Sequence, residues 1–268
     1  MIDFPVAHLS HSSVTAFMRC PNCWAQAYLE RRPRRIGAAL AIGSSLHGAM
    51  AALRRGRTPD EAVEAARIEM GRTLSGEDRT GELPDTDPVL DLGAKFQSWS
   101  DVENEALRLV PALTAISDAE QGWEVLAVEH QLDYLDVFDV PFTGFVDVVL
   151  RRGDVTIIKD LKSSASNVAP DATTFRQLAT YTMALDWDTE HVGVDQVVKS
   201  KGITVHPWTD PGYAGEIYDD LRQSVSHQVN WVAAAIQRGD FPVGDGGVFG
   251  HDYAHPAPRF YSLAEAVA

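Results

Sequence analysis

Only two cysteines occur in the 268 residues, Cys20 and Cys23, and none follows them. That excludes a disulfide framework and leaves a metal site, a redox pair or buried thiols for this Cys-Pro-Asn-Cys segment. No apolar run reaches the ~18–20 residues that a membrane-spanning helix needs, so no membrane partner is expected. Met1 to Ser13 lacks a basic start followed by an apolar run, so no signal peptide is expected and the chain reads as cytoplasmic. A Gly-x-x-x-x-Gly-Lys-Ser/Thr loop is missing, which excludes an ATP-driven motor within this chain. Repeats, low-complexity tracts and long linkers are absent as well, so a single domain over residues 1–268 is expected.

Positive charge is also scarce. A formal net charge of −15 sets up a field that repels phosphates. Its distribution is uneven, however. The first 57 residues hold Arg19, Arg31, Arg32, Arg34, Arg35, Arg54, Arg55 and Arg57 against Asp3 and Glu30, a net +6, and the remainder carries −21. A basic N-terminal segment on an acidic body fits a localised phosphate contact, with Arg31, Arg32, Arg34 and Arg35 as the candidates. The alternative is that these arginines pair with the acids of the body or stand solvated. What the chain has in quantity is apolar surface: at 45% hydrophobic residues it can build a core, and global disorder is excluded.

Periodicity and caps divide the chain into elements. Ser12 or Ser13 can cap a helix to about Arg19, Pro21 starts a second one through Tyr28, and Ala38 to Leu53 forms a small-residue helix closed by Gly56. Thr58-Pro59-Asp60-Glu61 supplies the cap, first-turn proline and early acids of another. Residues 75–88 read as a loop and 89–120 as a long helical stretch with a candidate break at Pro111. The period then changes: Trp123 to Leu135, Val140 to Leu150 and Val155 to Leu161 are rich in Val, Ile, Leu and Phe, as strands are. A helix from Pro170 or Asp171 to about Trp187, strands at Val192 to Lys199 and Ile203 to Trp208, and a helix from Tyr213 to Arg238 complete the order. The expected class is α/β, with a mainly helical part at 1–121, a sheet core at 122–210, and a C-terminal helix and irregular tail at 211–268.

The second and third strands form a hairpin through Arg151-Arg152-Gly153-Asp154. With the turn on Arg152 and Gly153, Arg151 faces Asp154 and Asp147 falls opposite Ile158. Asp147 and Asp160 then become diagonal neighbours on one face, roughly 5–8 Å apart at Cβ. Two carboxylates among Phe145, Val148, Ile157 and Ile158 repel each other in apolar surroundings. A hard divalent cation removes that repulsion, and oxygen donors favour magnesium or manganese. Lys162, next on the same face, can offer its ammonium to a phosphate oxygen. The alternative is a solvent-facing hairpin whose charges only keep its outer face polar. His47 lies on an inward stripe with Leu40, Ser44 and Ala51 along a helix of small residues, where a histidine is either a hydrogen-bonded core residue or a ligand.

Gly144-Phe145-Val146-Asp147, then Ile157-Ile158-Lys159-Asp160-Leu161-Lys162, then Gln177-Leu178-Ala179-Thr180-Tyr181 resembles the PD-(D/E)XK nuclease superfamily, and within it the RecB-type exonucleases, the CRISPR-associated ones included. The segment Leu9-Ser10-His11-Ser12-Ser13 leading to Cys20-Pro21, and the helix with Gly43-Ser44-Ser45-Leu46-His47, are similar to that branch too. Together these motifs span residues 9 to 185 in the family's order. The resemblance implies a restriction-endonuclease-like mixed β-sheet core flanked by helices, with a helical N-terminal addition. It implies His47, Asp147, Asp160 and the backbone carbonyl of Leu161 as ligands of Mg2+ or Mn2+, with Lys162 orienting or activating the attacking water. Gln177 and Tyr181 would support the site or touch DNA.

The implied activity is a metal-dependent DNA nuclease, an exonuclease acting on DNA ends in recombination, repair or phage DNA processing, with any helicase or recombination partner unidentified. Alternatives are a structure-specific or nicking endonuclease, or a non-catalytic DNA-binding or assembly protein that retains the fold. Several members of the family bind an iron–sulfur cluster through one cysteine near Cys20 and three near the C-terminus. Here His251-Asp-Tyr-Ala-His255-Pro256 stands at the latter place, so a four-cysteine cluster is out of reach. Cys20, Cys23, His251 and His255 could instead clasp a zinc ion, against the simpler reading of buried thiols and tail histidines.

Overall fold

Short polar caps decide where the helices begin. α1 (His11–Arg19) starts after Ser10, not after Ser12 or Ser13: the Ser10 hydroxyl accepts from the Ser13 amide, and the Ser10 amide donates to the Ser13 hydroxyl. Cys20 caps α2 (Pro21–Tyr28), its sulfur accepting from the Cys23 amide at 3.3 Å, with Pro21 in the first turn where a missing N–H costs nothing. β1 (Arg35–Gly37) leads directly into α3 (Ala38–Arg54). Reciprocal caps between Thr58 and Glu61 and between Ser98 and Asp101 then start α4 (Pro59–Leu74) and α5 (Trp99–Ala119).

The expected 89–120 helix is corrected at its start. Val89–Asp91 is a short strand, β2, lying parallel to β1, and the helix begins only at the Ser98 cap. Pro88 disfavours helix before it, and the free edge of β1 captures the apolar Val89-Leu90 pair as strand. Pro111 does not break α5. Leu109, Val110, Leu113 and Ile116 are buried around it, and packing outweighs the one lost backbone bond. Shortening Leu109 or Leu113 to alanine would cost about 2–5 kcal/mol each.

The second half contributes β3 (Glu124–Leu132), β4 (Gly144–Arg152), β5 (Val155–Ser164), α6 (Ala172–Ala184), β6 (His191–Val198), β7 (Thr204–Asp210) and α7 (Glu216–Arg238). The computed structural model describes residues 4–77, 83–132, 138, 140–167, 169–184, 189, 191–199, 203–210 and 216–243. The expected ends of β3, α6 and α7 at Leu135, Trp187 and Tyr213, and the C-terminal tail, lie outside them. The five strands make one mixed sheet in the order β3-β4-β5-β6-β7, antiparallel except for the β5–β6 pair that α6 connects. α3, α4 and α5 pack on one face with Leu161 and Val197. α1, α2, α6 and α7 pack on the other with Val149, Ile158, Val192 and Val194. No helix among the described residues is long and apolar enough to cross a membrane.

The hairpin register differs from expectation by two residues. Arg152 pairs with Val155, so the loop is Gly153-Asp154, with Gly153 at φ +61, where a two-residue turn needs a glycine. The β4–β5 ladder runs only to Val148 and Lys159. Beyond that point β4 stays with β3 as far as the Leu132–Gly144 pair, and β5 stays with β6 as far as Ser164–Val198. The sheet therefore opens between its two central strands.

A buried ion cluster braces α3 across the sheet. Arg54 reaches Glu120 at 2.8 Å and Asp195 at 3.1 Å, and Lys159 reaches the same two acids at 2.9 and 2.6 Å. Arg54 lies two helical turns after His47, on the same side of α3.

Candidate active site

Asp147 and Asp160 are the first residues past the end of the β4–β5 ladder, one on each strand, directly opposite in register. Because the slip from the expected pairing is two residues, an even number, the acids still meet; a one-residue slip would have separated them. Both side chains are buried, Asp147 at 5% and Asp160 at 1% exposure. The Asp147 carboxylate accepts from the Leu161 amide at 2.7 Å, which ties the opening together by a side chain where the backbone ladder has stopped.

On one side of the opening, Lys162 Nζ lies 2.9 Å from Asp160 Oδ2 and donates to Gln177 Oε1 at 2.9 Å; Gln177 Nε2 in turn donates to the Tyr181 hydroxyl at 2.6 Å. Gln177 and Tyr181 are one turn apart on α6, so a single helix face presents both. The Tyr181 ring packs beside Gly144, where a Cβ would stand 3.4 Å from it, an ordinary van der Waals contact. On the other side, α3 brings His47 Nδ1 to 3.2 Å from Asp147 Oδ2 and 3.7 Å from Glu129 Oε1.

The electrostatics are those of a site with too much negative charge. Burial pushes the Asp160 carboxyl above its usual range and the neighbouring Asp147 adds to this, while Lys162 and His47 oppose it. Burial alone would lower the His47 imidazolium, but the charge and hydrogen bonding of Asp147, then of Glu129, raise it to about 10. Two buried atoms, His47 Nδ1 and Asp160 Oδ2, still lack an aligned hydrogen bond despite their close ionic neighbours. His47, Glu129 and Asp147 each place one donor atom within 4.8 Å of the others, a group that could hold a metal ion. Orphaned, mutually repelling donors of this kind fit a divalent cation and are poorly satisfied without one.

Against known families, the sequence profile of the PD-(D/E)XK nuclease superfamily matches residues 8–246. The chain belongs to the PD-(D/E)XK nuclease superfamily. The five-stranded mixed sheet flanked by helices is the restriction-endonuclease-like core of this superfamily, and membership implies a hydrolytic nuclease. A crystal structure of a candidate exonuclease from Eubacterium rectale is similar in fold, with a TM-score of 0.53 and 11% identity over 87% of this chain and 82% of that one. A structure of the protein SSO0001 is 14% identical over 78% of this chain and 80% of that one, at a TM-score of 0.31 that supports no argument. No curated protein sequence matches.

The structure thus brings together His47, Asp147, Asp160, Leu161, Lys162, Gln177 and Tyr181. Two residues near this PD-(D/E)XK site escaped the sequence. Glu129 was not singled out within the apolar run Trp123 to Leu135. His11 appeared only as part of a motif; at the start of α1 it is held down to about 4, first by burial and then by the charges of Lys162 and Arg176, so it is neutral at pH 7. The N-terminal arginines are largely matched by acids: Arg31 with Asp85 at 2.8 Å, Arg32 with Glu30 at 2.8 Å, Arg35 with Asp91 at 3.0 Å. Arg34 makes no ion pair to a described residue and lines a recess of about 350 Å³ with Arg31 and Arg32. Cys20 and Cys23 are buried thiols, the first a helix cap. His251 and His255, the other half of the zinc set, lie outside the described residues.

Proposed function

We propose that this protein is a Mg2+- or Mn2+-dependent deoxyribonuclease of the RecB-like branch, an exonuclease that hydrolyses phosphodiester bonds at DNA ends. The observation that carries this reading is the pair Asp147 and Asp160 facing each other across the split between β4 and β5, with Lys162 beside them. Asp147, Asp160, the carbonyl of Leu161 and His47 would hold the cation, which supplies Lewis-acid stabilisation of the charge that grows on the phosphate. Lys162 places a second positive charge where that charge develops and orients the attacking water. Gln177 holds the Lys162 ammonium from behind, and Tyr181 holds Gln177, so that the amine stays aimed into the opening. Ligation of His47 requires its imidazole to give up the proton that Asp147 and Glu129 stabilise, so cation and proton compete at this residue. The exposed Arg31 and its neighbour Arg34 offer phosphate contacts along the strand, since exposed ion pairs such as Arg31–Asp85 exchange partners at little cost.

End-labelled linear DNA and closed circular DNA, each incubated with Mg2+ or Mn2+, test the reading. Linear DNA should be degraded from its ends and closed circles left intact, with Lys162→Ala and chelator each abolishing the reaction. Nicked circles would make the protein an endonuclease instead, and intact DNA under every condition would overturn the nuclease assignment.

A further inference from the structure

Glu129 sits on β3 between Val128, paired with Val148, and His130, paired with Val146, so it lies opposite Asp147. Its backbone has φ 50, the left-handed region that a non-glycine residue adopts only when its surroundings impose it. Both flanking pairs survive, so the distortion is confined to one residue and acts to re-aim one side chain. That side chain is 22% exposed and ends 3.7 Å from His47 Nδ1, at the floor of a recess of about 310 Å³ between α3, α4 and the sheet.

We propose that Glu129 is a further protein ligand of the divalent-cation centre, on the His47 side of Asp147; this rests on the nuclease reading above. The donor chemistry supports it from two directions. His47, Glu129 and Asp147 already converge within 4.8 Å, so one ion can touch an oxygen or nitrogen of each. Asp160, almost wholly buried and opposite Asp147 in register, stands next to this set on the other strand, its Oδ2 2.9 Å from Lys162 Nζ. Three carboxylates and one imidazole exceed the charge of a single divalent ion by one. Lys162 beside Asp160 balances that excess, so the centre is close to neutral once filled. Glu129 also answers how a centre with two strand acids and one helix histidine is closed on the β3 side, where no other acid is adjacent in the ladder.

The test is Mn2+ binding to the full-length protein, read by the loss of the free-ion paramagnetic resonance signal, alongside thermal unfolding without metal. Glu129→Gln keeps the size and a hydrogen-bonding group but removes the charge, while Glu129→Gly accepts φ 50 without strain. Ligation predicts that both variants bind Mn2+ more than about a hundredfold more weakly than the native chain, beyond the ~10–100-fold range for disturbing a residue that merely orients a ligand. It also predicts that the glycine variant without metal unfolds at the same or a higher temperature. Binding weakened by about a hundredfold or less in either variant overturns the proposal, as does a glycine variant that without metal melts below the native chain. A native chain that binds no Mn2+ would overturn the nuclease reading with it, whereas native binding and hydrolysis that survive both substitutions remove only Glu129.

Discussion

Two clusters of buried charge sit on the same helix, two turns apart, and they are opposites. Around Arg54 the charges close on themselves: two cations and two carboxylates contact one another at 2.6 to 3.1 Å, and none of these side-chain atoms is orphaned. Around His47 three acids meet one imidazole and one amine, and two buried atoms have no aligned partner. A saturated cluster fixes helix to sheet and needs nothing more. An unsaturated one is stable only because the fold around it holds it there, and its deficit is the shape of what it binds.

That contrast breaks cleanly under mutation. Asp160→Asn should lower hydrolysis at least about a thousandfold, because several kcal/mol of charge stabilisation are lost at 1.36 kcal/mol per tenfold. It should also raise the unfolding temperature of the metal-free protein, since the cost of burying that charge, and with it the smaller repulsion from Asp147, is removed. Arg54→Met should do the reverse. Leaving Glu120 and Asp195 short of a cation costs about 3–5 kcal/mol, or roughly 10 °C in a chain of this size, while folded enzyme at 25 °C keeps hydrolysis within a few-fold. Rates and melting curves on the two variants check both halves, and an Arg54→Met protein that is folded yet inactive would show that the clusters are not separate devices.

A cation should then act on one cluster alone. Added Mg2+ or Mn2+ at a hundred times its dissociation constant should stabilise the native chain by about 2.7 kcal/mol, some 5–10 °C, by binding only the folded state. Arg54→Met should retain that increment on its lower baseline, and Asp160→Asn should lose most of it. An equal metal shift in Asp160→Asn would remove this acid from the ligand set.

The strands that carry the site were legible because their composition is apolar with acids interrupting it. The stripe through His47 was legible only in part: Ala51 is buried, but Leu40 is 38% exposed, and the buried face of α3 runs through Ala41, Ser45 and Ala49. Register was not. Gly153 could occupy either loop position, and only the turn geometry in three dimensions selects the first. Glu129 was invisible for a different reason: its role depends on one left-handed residue inside a strand, and nothing in glutamate's own preferences signals that conformation. For the arginine segment the sequence left phosphate contact and pairing with acids of the body both open, because the partners Asp85 and Asp91 lie more than fifty residues away. At 89–91 local spacing suggested helix and a distant strand edge decided otherwise. For the arginines and for 89–91 the missing information was long-range pairing, and for Glu129 it was a single backbone angle.

The smallest expected effect is a pH response within the closed cluster, where two carboxyls move in opposite directions. Burial alone would raise Glu120, but Arg54 and then Lys159 hold it below its ordinary 4.5. Asp195, its side chain only 2% exposed against 9% for Glu120, is raised above its ordinary 3.8, burial outweighing the same two cations. A carboxyl lowered by folding adds stability that is complete above its ordinary value and is lost as pH falls through its folded value. A raised one subtracts stability at neutral pH, and that loss is relieved as pH falls through its raised folded value towards the ordinary one. Glu120→Gln should therefore flatten the fall in melting temperature below pH 4.5, and Asp195→Asn should flatten the gentler change above pH 3.8. Melting curves against pH for the three proteins separate the two, because the windows differ and the slopes have opposite signs. If Glu120→Gln melts with the native acid slope, the carboxylate is not held by Arg54 and Lys159 in solution, and the closed cluster is less closed than its distances suggest.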